Sequence, residues 1–539
     1  MNNIMKQKPA SLLIILGFLL VAHSSCTRPA LEHEPPNVIL ILADDLGYSD
    51  LGCYGSEIPT PNLDRLAEGG LLFTHMHSCG RCWPSRATLM TGHYPRTVNV
   101  DPRDRDLENP AWVKFLPQYL AGQGYRCYHS GKWHVSGYDI GKAGFDHYYF
   151  NQGWNRHFTP INHNLDGDTL PQPSLEDGYY STIGITDYLT GFLEDHHREY
   201  PQTPFFAYLA YISPHFPLQA LQKDIDLFRD SYTDGWDIVR ERRYRKQLKS
   251  NIVDCELSPR MPEVVPSWNL SEADLKAMIG EGEAGRAVAW EELSPEQKRF
   301  QSTKMAIHAA MVYRIDREVG HLVERLKEMG VFNNTVIMFI SDNGASAEQI
   351  IRGDMHDPSA PPGSAASFLC LGPGWSTCSN TPFKRHKHWM DEGGIASPFI
   401  VSWPDGLRAA GEYRSTLCHF TDIVPTILDL AGVEIPDSMR PALPGRSLTA
   451  AFRKDLPIPH PALYFDHAGN KAWWEGNWKL VSAIPGEEWR LYDMETDRSE
   501  CHDLAAEHPA LVESMKAAWT AYRDHLDSLK TGGSSRLPD

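Results

Sequence analysis

The stretch Asn37–Asp45 reads NVILILADD: an unbroken apolar run, rich in β-branched residues, that ends in two adjacent carboxylates. It has strand length and no polar face, which is the pattern of a strand buried on both sides, as in a parallel sheet. The same design recurs twice. Pro204–Ile212 (PFFAYLAYI) runs into Ser213-Pro214-His215, and Asn334–Ile340 (NTVIMFI) runs into Ser341-Asp342-Asn343-Gly344. Ser397–Trp403 (SPFIVSW) is a fourth such run, ending at Pro404. Tyr125–His129 is a shorter one that leads into Gly131-Lys132-Trp133-His134. Helical segments lie between them. Thr60-Pro61 supplies N-cap and first turn for one that Gly69-Gly70 stops. Gln301–Met329 carries an apolar stripe of Met305, Ala309, Val312, Val319, Leu322, Val323 and Leu326, closed by Gly330. Strands alternating with helices predict an α/β fold, a mostly parallel sheet sandwiched by helices. In such sheets ligands bind at the carboxyl ends of the strands, where three runs here place Asp44-Asp45, His215 and Asp342-Asn343. One polar strand end is an ordinary turn; three suggest one shared site.

Beyond about Val433 the texture changes. Ala462–Asp466, Trp473–Ser482 and Trp489–Asp493 read as short aromatic strands between turns, and Pro509–Leu529 as an amphipathic helix. They predict a smaller C-terminal α+β lobe with an antiparallel sheet, over about 456–530, beside a main body over 37–433. Asp224–Lys298 is polar and reads as an irregular insertion near the site, and Thr531–Asp539 as a loose tail.

A 539-residue chain with 42% hydrophobic and 22% charged residues is an ordinary globular composition. A formal net charge of −18 excludes a nucleic-acid groove and gives no long-range attraction for a polyanion. An anionic substrate would need a local basic pocket. At the N-terminus, Lys6 and Lys8 precede the apolar run Ser11–Ala22 and then His23-Ser24-Ser25-Cys26, the layout of an export signal over residues 1–26. The run is short for a membrane span. Cys26 resembles the lipidated cysteine of a bacterial lipoprotein, which implies a periplasmic or outer-membrane-anchored protein. The ten cysteines are too sparse for a disulfide scaffold; Cys370 and Cys378 flank a short loop and could pair.

The segment Cys82-Trp83-Pro84-Ser85-Arg86-Ala87-Thr88 carries the chemistry. Pro84 predicts a helix start and Gly92 its end, which puts Cys82 just before a helix N-terminus. Free N–H groups there favour an anion, and Arg86 one turn on offers a planar fork of donors. The residues alone allow two readings: an anion site with an activated thiol, or a structural cysteine beside a capped helix.

Cys-x-Pro-Ser-Arg-Ala resembles the signature of the formylglycine-dependent sulfatases, within the alkaline-phosphatase-like superfamily. The other landmarks stand in that family's order: Asp44-Asp45, Gly131-Lys132-Trp133-His134, Ser213-Pro214-His215, Ser341-Asp342-Asn343-Gly344, and Lys387 before Glu392-Gly393-Gly394. The resemblance implies that a formylglycine-generating maturase oxidises Cys82. It implies a metal site of Asp44, Asp45, Asp342 and Asn343 that includes the modified Cys82. These oxygen donors suit a hard ion, with calcium first and magnesium the runner-up. It implies that Arg86, Lys132 and Lys387 neutralise sulfate oxygens. It also makes His215 the group that protonates the leaving oxygen and His134 the base that releases sulfate.

The long loop Ala345–Arg385, with Ser-Ala-Glu after Gly344, resembles the bacterial arylsulfatase branch. Ile395-Ala396-Ser397-Pro398 and Val135-Ser136-Gly137 depart from the commoner family pattern, which bears on substrate more than on reaction class. Ser85, Trp83 and His467 are the candidate substrate contacts, with Trp154, Trp375 and Trp389 as further aromatic candidates for stacking on a sugar. A sulfated glycan is the expected substrate. The rival readings are a phosphate or phosphonate ester hydrolase of the same superfamily and a non-catalytic glycan-binding relative.

Overall fold

In a computed structural model, which describes residues 35–152, 156–436, 441–483, 486 and 488–531, Asn37 opens strand β1 (Asn37–Asp44) at the centre of an eleven-stranded sheet. The export signal with Cys26, Trp154 and residues 532–539 lie outside the described residues. The strand order is β10 (Glu412–Arg414), β2 (Leu71–His77), β9 (Ala396–Ser402), β8 (Thr335–Ser341), β1, β7 (Phe205–Pro214), β3 (Arg126–Gly131), β4 (His147–Asn151), β5 (His163–Leu165) and β6 (Asp168–Thr169). A short β11 (Cys418–His419) also pairs with β2. β1 runs parallel to both β7 and β8, with Ile39 opposite Ala207 and Ile337. β9 is antiparallel to β8 and β2. The sheet is mostly parallel, as its doubly apolar strands predict.

The side-chain period of two divides β1 between two cores. Ile39, Ile41 and Ala43 join one cluster; Val38, Leu40 and Leu42 join the other. The first is covered by α1 (Pro61–Glu68), α4 (Ser181–Glu199) and α8 (Pro295–Glu328). The second is covered by α2 (Cys82–Thr91), α3 (Leu116–Ala121), α11 (Ile423–Leu430) and α12 (Thr449–Arg453). Every residue of the expected stripe on α8 is buried. The helix starts at Pro295 rather than Gln301. Its first turns are polar, and the start is set by Ser294, whose hydroxyl accepts from Gln297 N at 3.1 Å while the Gln297 side chain accepts from Ser294 N.

Three other expectations are corrected. The insertion 224–298 is not irregular throughout: it holds α5 (Gln222–Ile225) at its start, α6 (Gly235–Lys249) and α7 (Glu272–Met278). Helix α6 buries Arg240 and Arg243 beside Trp236 and Val239, so it carries no apolar stripe to read. Trp473–Ser482 is not one strand. It is a hairpin of β13 (Asn470–Glu475) and β14 (Trp478–Ser482), flanked by β12 (Leu463–His467) and β15 (Arg490–Asp493) in a four-stranded antiparallel sheet. Cys370 and Cys378 do not pair. Cys370 packs with Phe216 and Phe368, whereas Cys378 sits in α9 (Pro373–Ser379) within the main core.

One face of the small sheet packs Tyr464, Trp473, Leu480 and Leu491 on α13 (Pro509–Lys530). The other packs Leu463, Phe465, Trp474 and Val481 against Met390 and Ile395, at the end of the large sheet. No helix of the described residues is long and apolar enough to cross a membrane.

Candidate active site

The strand order β8-β1-β7-β3 places four polar strand ends side by side. Asp44 and Asp45 end β1, Asp342-Asn343 follows β8, His215 follows β7, and Lys132 and His134 follow β3. Asp45 (φ 64°) and His134 (φ 47°) hold left-handed backbone conformations, a cost that clusters where function needs a side chain aimed. Asp44, Asp45, Asp342 and Asn343 are all buried.

Helix α2 starts at Cys82, not after it. Arg81 is the extended N-cap residue, and Ser85 N already donates to Arg81 O at 3.0 Å. Pro84 fits inside the first turn because its missing N–H would have no intrahelical partner there. Cys82, 3% exposed, thus sits in the first turn facing the strand ends. Arg86 is fully buried and committed to carboxylates. Its Nε and Nη2 donate to Asp342 Oδ2 at 3.0 and 2.9 Å, Nη2 lies 3.4 Å from Asp44 Oδ2, and Nη1 donates to Lys132 O at 2.9 Å. Lys132 Nζ donates to Asp44 Oδ2. Lys387 Nζ donates to Asp45 Oδ2 at 2.8 Å and lies 3.3 Å from Glu348 Oε2. His215 Nδ1 donates to Phe216 O at 2.6 Å, which leaves Nε2 facing Asp45 Oδ2 at 3.6 Å.

Burial would raise all three aspartates, and neighbours split them. Lys132, His215 and Arg86 overcome the burial of Asp44 and hold it well below the usual carboxylate range. Burial and the adjacent Asp44 charge push Asp342 up to about 7 against the pull of Arg86. Burial also raises Asp45, opposed by Lys387. Burial, then Lys387, holds His215 well below the ordinary imidazole value; burial, then Lys132 and Arg86, does the same for His134. Burial raises the Cys82 thiol, opposed by Lys132 and Lys387.

The donor set fits a hard divalent cation. Ligand atoms of Asp44, Asp45 and His215 fall within 4.8 Å of one another, and the buried Asp44 Oδ1 and Asn343 Oδ1 have no hydrogen-bond partner. Asn343 Nδ2 donates to Asp45 Oδ1 at 2.7 Å.

The remaining candidates divide. Trp83 lies at the pocket, its ring 5.7 Å from His134 and 5.2 Å from His467. His467 reaches it from the small sheet, held by a 2.5 Å hydrogen bond from Nδ1 to Asp101 Oδ2. Ser85 is spent elsewhere: its hydroxyl accepts from Cys79 N at 3.1 Å and is fully buried. Trp375 and Trp389 are core residues, 0% and 1% exposed, so neither offers a face to a sugar. Trp375 packs against Trp236 and Trp290 and donates to Gln301 O. Sequence reasoning missed Arg81, Asp101, Trp268, Glu348 and His388. Glu348 had a signal in the Ser-Ala-Glu that follows Gly344; Trp268 lay inside the polar insertion.

This is the pocket of an alkaline-phosphatase-like hydrolase: acids for a cation and bases for an anion at the carboxyl ends of a parallel sheet. The sulfatase family model matches residues 36–433, and a model of the C-terminal region of N-sulphoglucosamine sulphohydrolase matches 384–524. An arylsulfatase of Klebsiella aerogenes is 30% identical over 466 residues, covering 78% of this chain and 93% of that protein. An N-acetylglucosamine-6-O-sulfatase of Bacteroides thetaiotaomicron is 25% identical, covering 97% and 93%. The crystal structure of Ps i-CgsB in complex with k-i-k-neocarrahexaose superposes with a TM-score of 0.63 at 26% identity, covering 91% and 93%. The chain belongs to the sulfatase family and is a sulfate-ester hydrolase.

Proposed function

We propose that this enzyme removes O-sulfate from sulfated carbohydrates, using a formylglycine made from Cys82 and one calcium ion. What supports the reading is a single juxtaposition. Cys82 opens a helix against four metal-capable side chains, Asp44, Asp45, Asp342 and Asn343, ringed by Arg86, Lys132 and Lys387. The glycan substrate is carried by the relatives, one named for N-acetylglucosamine 6-sulfate chemistry and one bound to an oligosaccharide.

Asp44, Asp45, Asp342 and Asn343 would hold the cation, which would supply a positive field for the sulfate oxygens, and the hydrated aldehyde made from Cys82 would supply the nucleophilic hydroxyl. Arg86 holds Asp44 and Asp342 in place and pulls Asp342 toward its ionised form against burial and the Asp44 charge. Lys132 and Lys387 lie within reach of the carboxylates and neutralise a bound sulfate as well. His215, its Nδ1–H tied to Phe216 O, presents Nε2 to the departing alcohol oxygen; in this reading Nε2 takes up a proton once the bound sulfate's negative charge offsets Lys387, and passes that proton to the alcohol oxygen. His134, kept neutral by burial, accepts the proton whose removal lets sulfate leave. Residues 37–433 form the catalytic part in this reading, and 456–530 the lobe that brings His467. Residues 1–26 are an export signal with lipidation at Cys26, which would put the enzyme in the periplasm or on the outer membrane.

The test is Cys82→Ala beside wild type expressed with a maturase. Intact mass should show the aldehyde in wild type, and free sulfate should be released from a panel of sulfated sugars by wild type only. Undiminished release by Cys82→Ala would overturn the mechanism, and faster cleavage of the matched phosphate esters would overturn the reaction class.

A further inference from the structure

Five side chains from four separate segments close a collar above Cys82. The Arg81 guanidinium lies 5.2 Å from the Trp83 ring. Trp83 meets His467 at 5.2 Å, His467 meets His388 at 4.9 Å, and His388 meets Trp268 at 4.7 Å. Trp268 returns to Arg81 at 5.4 Å. Trp268 is 41% exposed and Cys82 3%, so the collar spans from solvent to the buried reaction centre.

Its polar groups are incompletely used. Arg81 Nη2 donates to Glu348 Oε1 at 3.0 Å, but the buried Nε and Nη1 have no partner. His388 Nδ1 and His467 Nε2, on residues 8% and 1% exposed, have none either. A guanidinium N–H sealed from water is costly unless a ligand takes it. The nearest carboxylate, Glu348, is shared: it also accepts from Trp268 Nε1 at 2.9 Å and lies 3.3 Å from Lys387 Nζ. With Asp45 also bound to Lys387, two carboxylates face two cations here, so what the mouth offers a ligand is unpaired N–H donors rather than net charge. None of these donors is engaged with Asp44 or Asp342, where the cations around Cys82 are tied.

We propose that Arg81, clamped between Trp83 and Trp268, binds a second anionic group on the substrate, a carboxylate or another sulfate, on the sulfated sugar or on the residue next to it. The proposal rests on the sulfated-carbohydrate reading above. The indoles hold the guanidinium plane in place, and its unpaired Nη1 and Nε N–H groups donate to oxygens of the second anion. His388 is neutral, since burial, then His467 and Arg81, brings it down to about 3, so it contributes hydrogen bonding rather than charge.

The experiment compares kcat/KM for three sulfated saccharides: one whose neighbour is neutral, one whose neighbour is a uronate, and one with a second sulfate. It uses wild type, R81Q and R81K. Position 81 adjoins the maturation motif, so each variant's aldehyde content is read by intact mass. The ratio between two substrates does not depend on the matured fraction. Wild type should prefer one of the doubly charged substrates by about tenfold or more, as expected for a charge-assisted pair. R81Q should bring that ratio near unity, and R81K should retain part of it. The arm that shows the preference identifies the second anion as carboxylate or sulfate. A wild type that cleaves the singly charged sugar with no preference, or an R81Q that loses all three substrates in equal proportion, overturns the inference alone. A wild type that releases sulfate from none of them overturns the carbohydrate reading, and the inference with it.

Discussion

Gly344, Gly393 and Gly394 stand where backbone segments converge beneath the pocket. A Cβ on Gly344 would fall 1.9 Å from Gly393 O, one on Gly393 2.2 Å from Lys384 O, and one on Gly394 2.0 Å from Trp389 O. This close approach carries Lys387 to Asp45, since Lys387 N donates to Ala345 O at 3.1 Å. Gly393→Ala has no flexible neighbour to displace. It should cost at least about 2 kcal/mol and most of the activity, read as a lower thermal midpoint and lost sulfate release. At the same scale the pocket is balanced: Asp44, Asp45, Asp342 and Glu348 face Arg81, Arg86, Lys132 and Lys387. Such a site admits a cation and a sulfate together without stranding charge. Chelation should therefore lower both activity and thermal midpoint, and added calcium should restore them better than magnesium. Restoration by neither ion would remove the metal from the account.

The elements were unequally legible, for physical reasons. β1, β7 and β8 are apolar on both faces because both faces are buried, so their runs and polar ends read directly. α8 shows its stripe, but its first two turns are held by a cap rather than a core. Ser294→Ala should cost about 1 kcal/mol by denaturant unfolding with activity intact, and no change would mean the cap is idle. α6 was illegible because it buries charge: Arg243 donates to Asp50 Oδ1 at 2.6 Å and to Glu57 Oε1 at 2.8 Å. Apolar periodicity cannot register a helix whose inward face is ionic.

Across the whole molecule, buried ion pairs join the lobe that carries His467 to the end of the large sheet. Lys479 of β14 lies 2.8 Å from Glu392 Oε1 and 2.9 Å from Glu500 Oε1, all three buried; Glu392 also meets His77 and Arg498. Glu392 opens the short helix α10 (Glu392–Ile395), which precedes β9. Lys479→Met would leave two buried carboxylates short of a partner. It should destabilise by about 3–5 kcal/mol and weaken activity by loosening the collar, checked by unfolding and by kcat/KM. A second buried cluster sets acid stability. Burial would raise Asp50, but His308 and Arg243 hold it down to about 2. Its stabilisation, about 2–3 kcal/mol from a shift of this size, is present above the unfolded carboxylate value and lost as pH falls through about 2. Asp50→Asn should therefore lower the thermal midpoint at neutral pH, by a margin that shrinks as pH drops from about 4 toward 2. A constant margin would sink the assignment. The sequence by itself determined the fold class and, through its resemblance to the sulfatases, singled out Cys82 and the candidate acids and bases, because those depend on local pattern and on residues adjacent along the chain. Only the tertiary structure decided which strand ends are neighbours, that Arg86 is spent on carboxylates, that Trp375 and Trp389 are core, and that Arg81, Trp268, His388 and His467 meet. Those facts depend on strand order and on which polar atoms burial leaves unpaired, and neither is written in any single stretch of the chain.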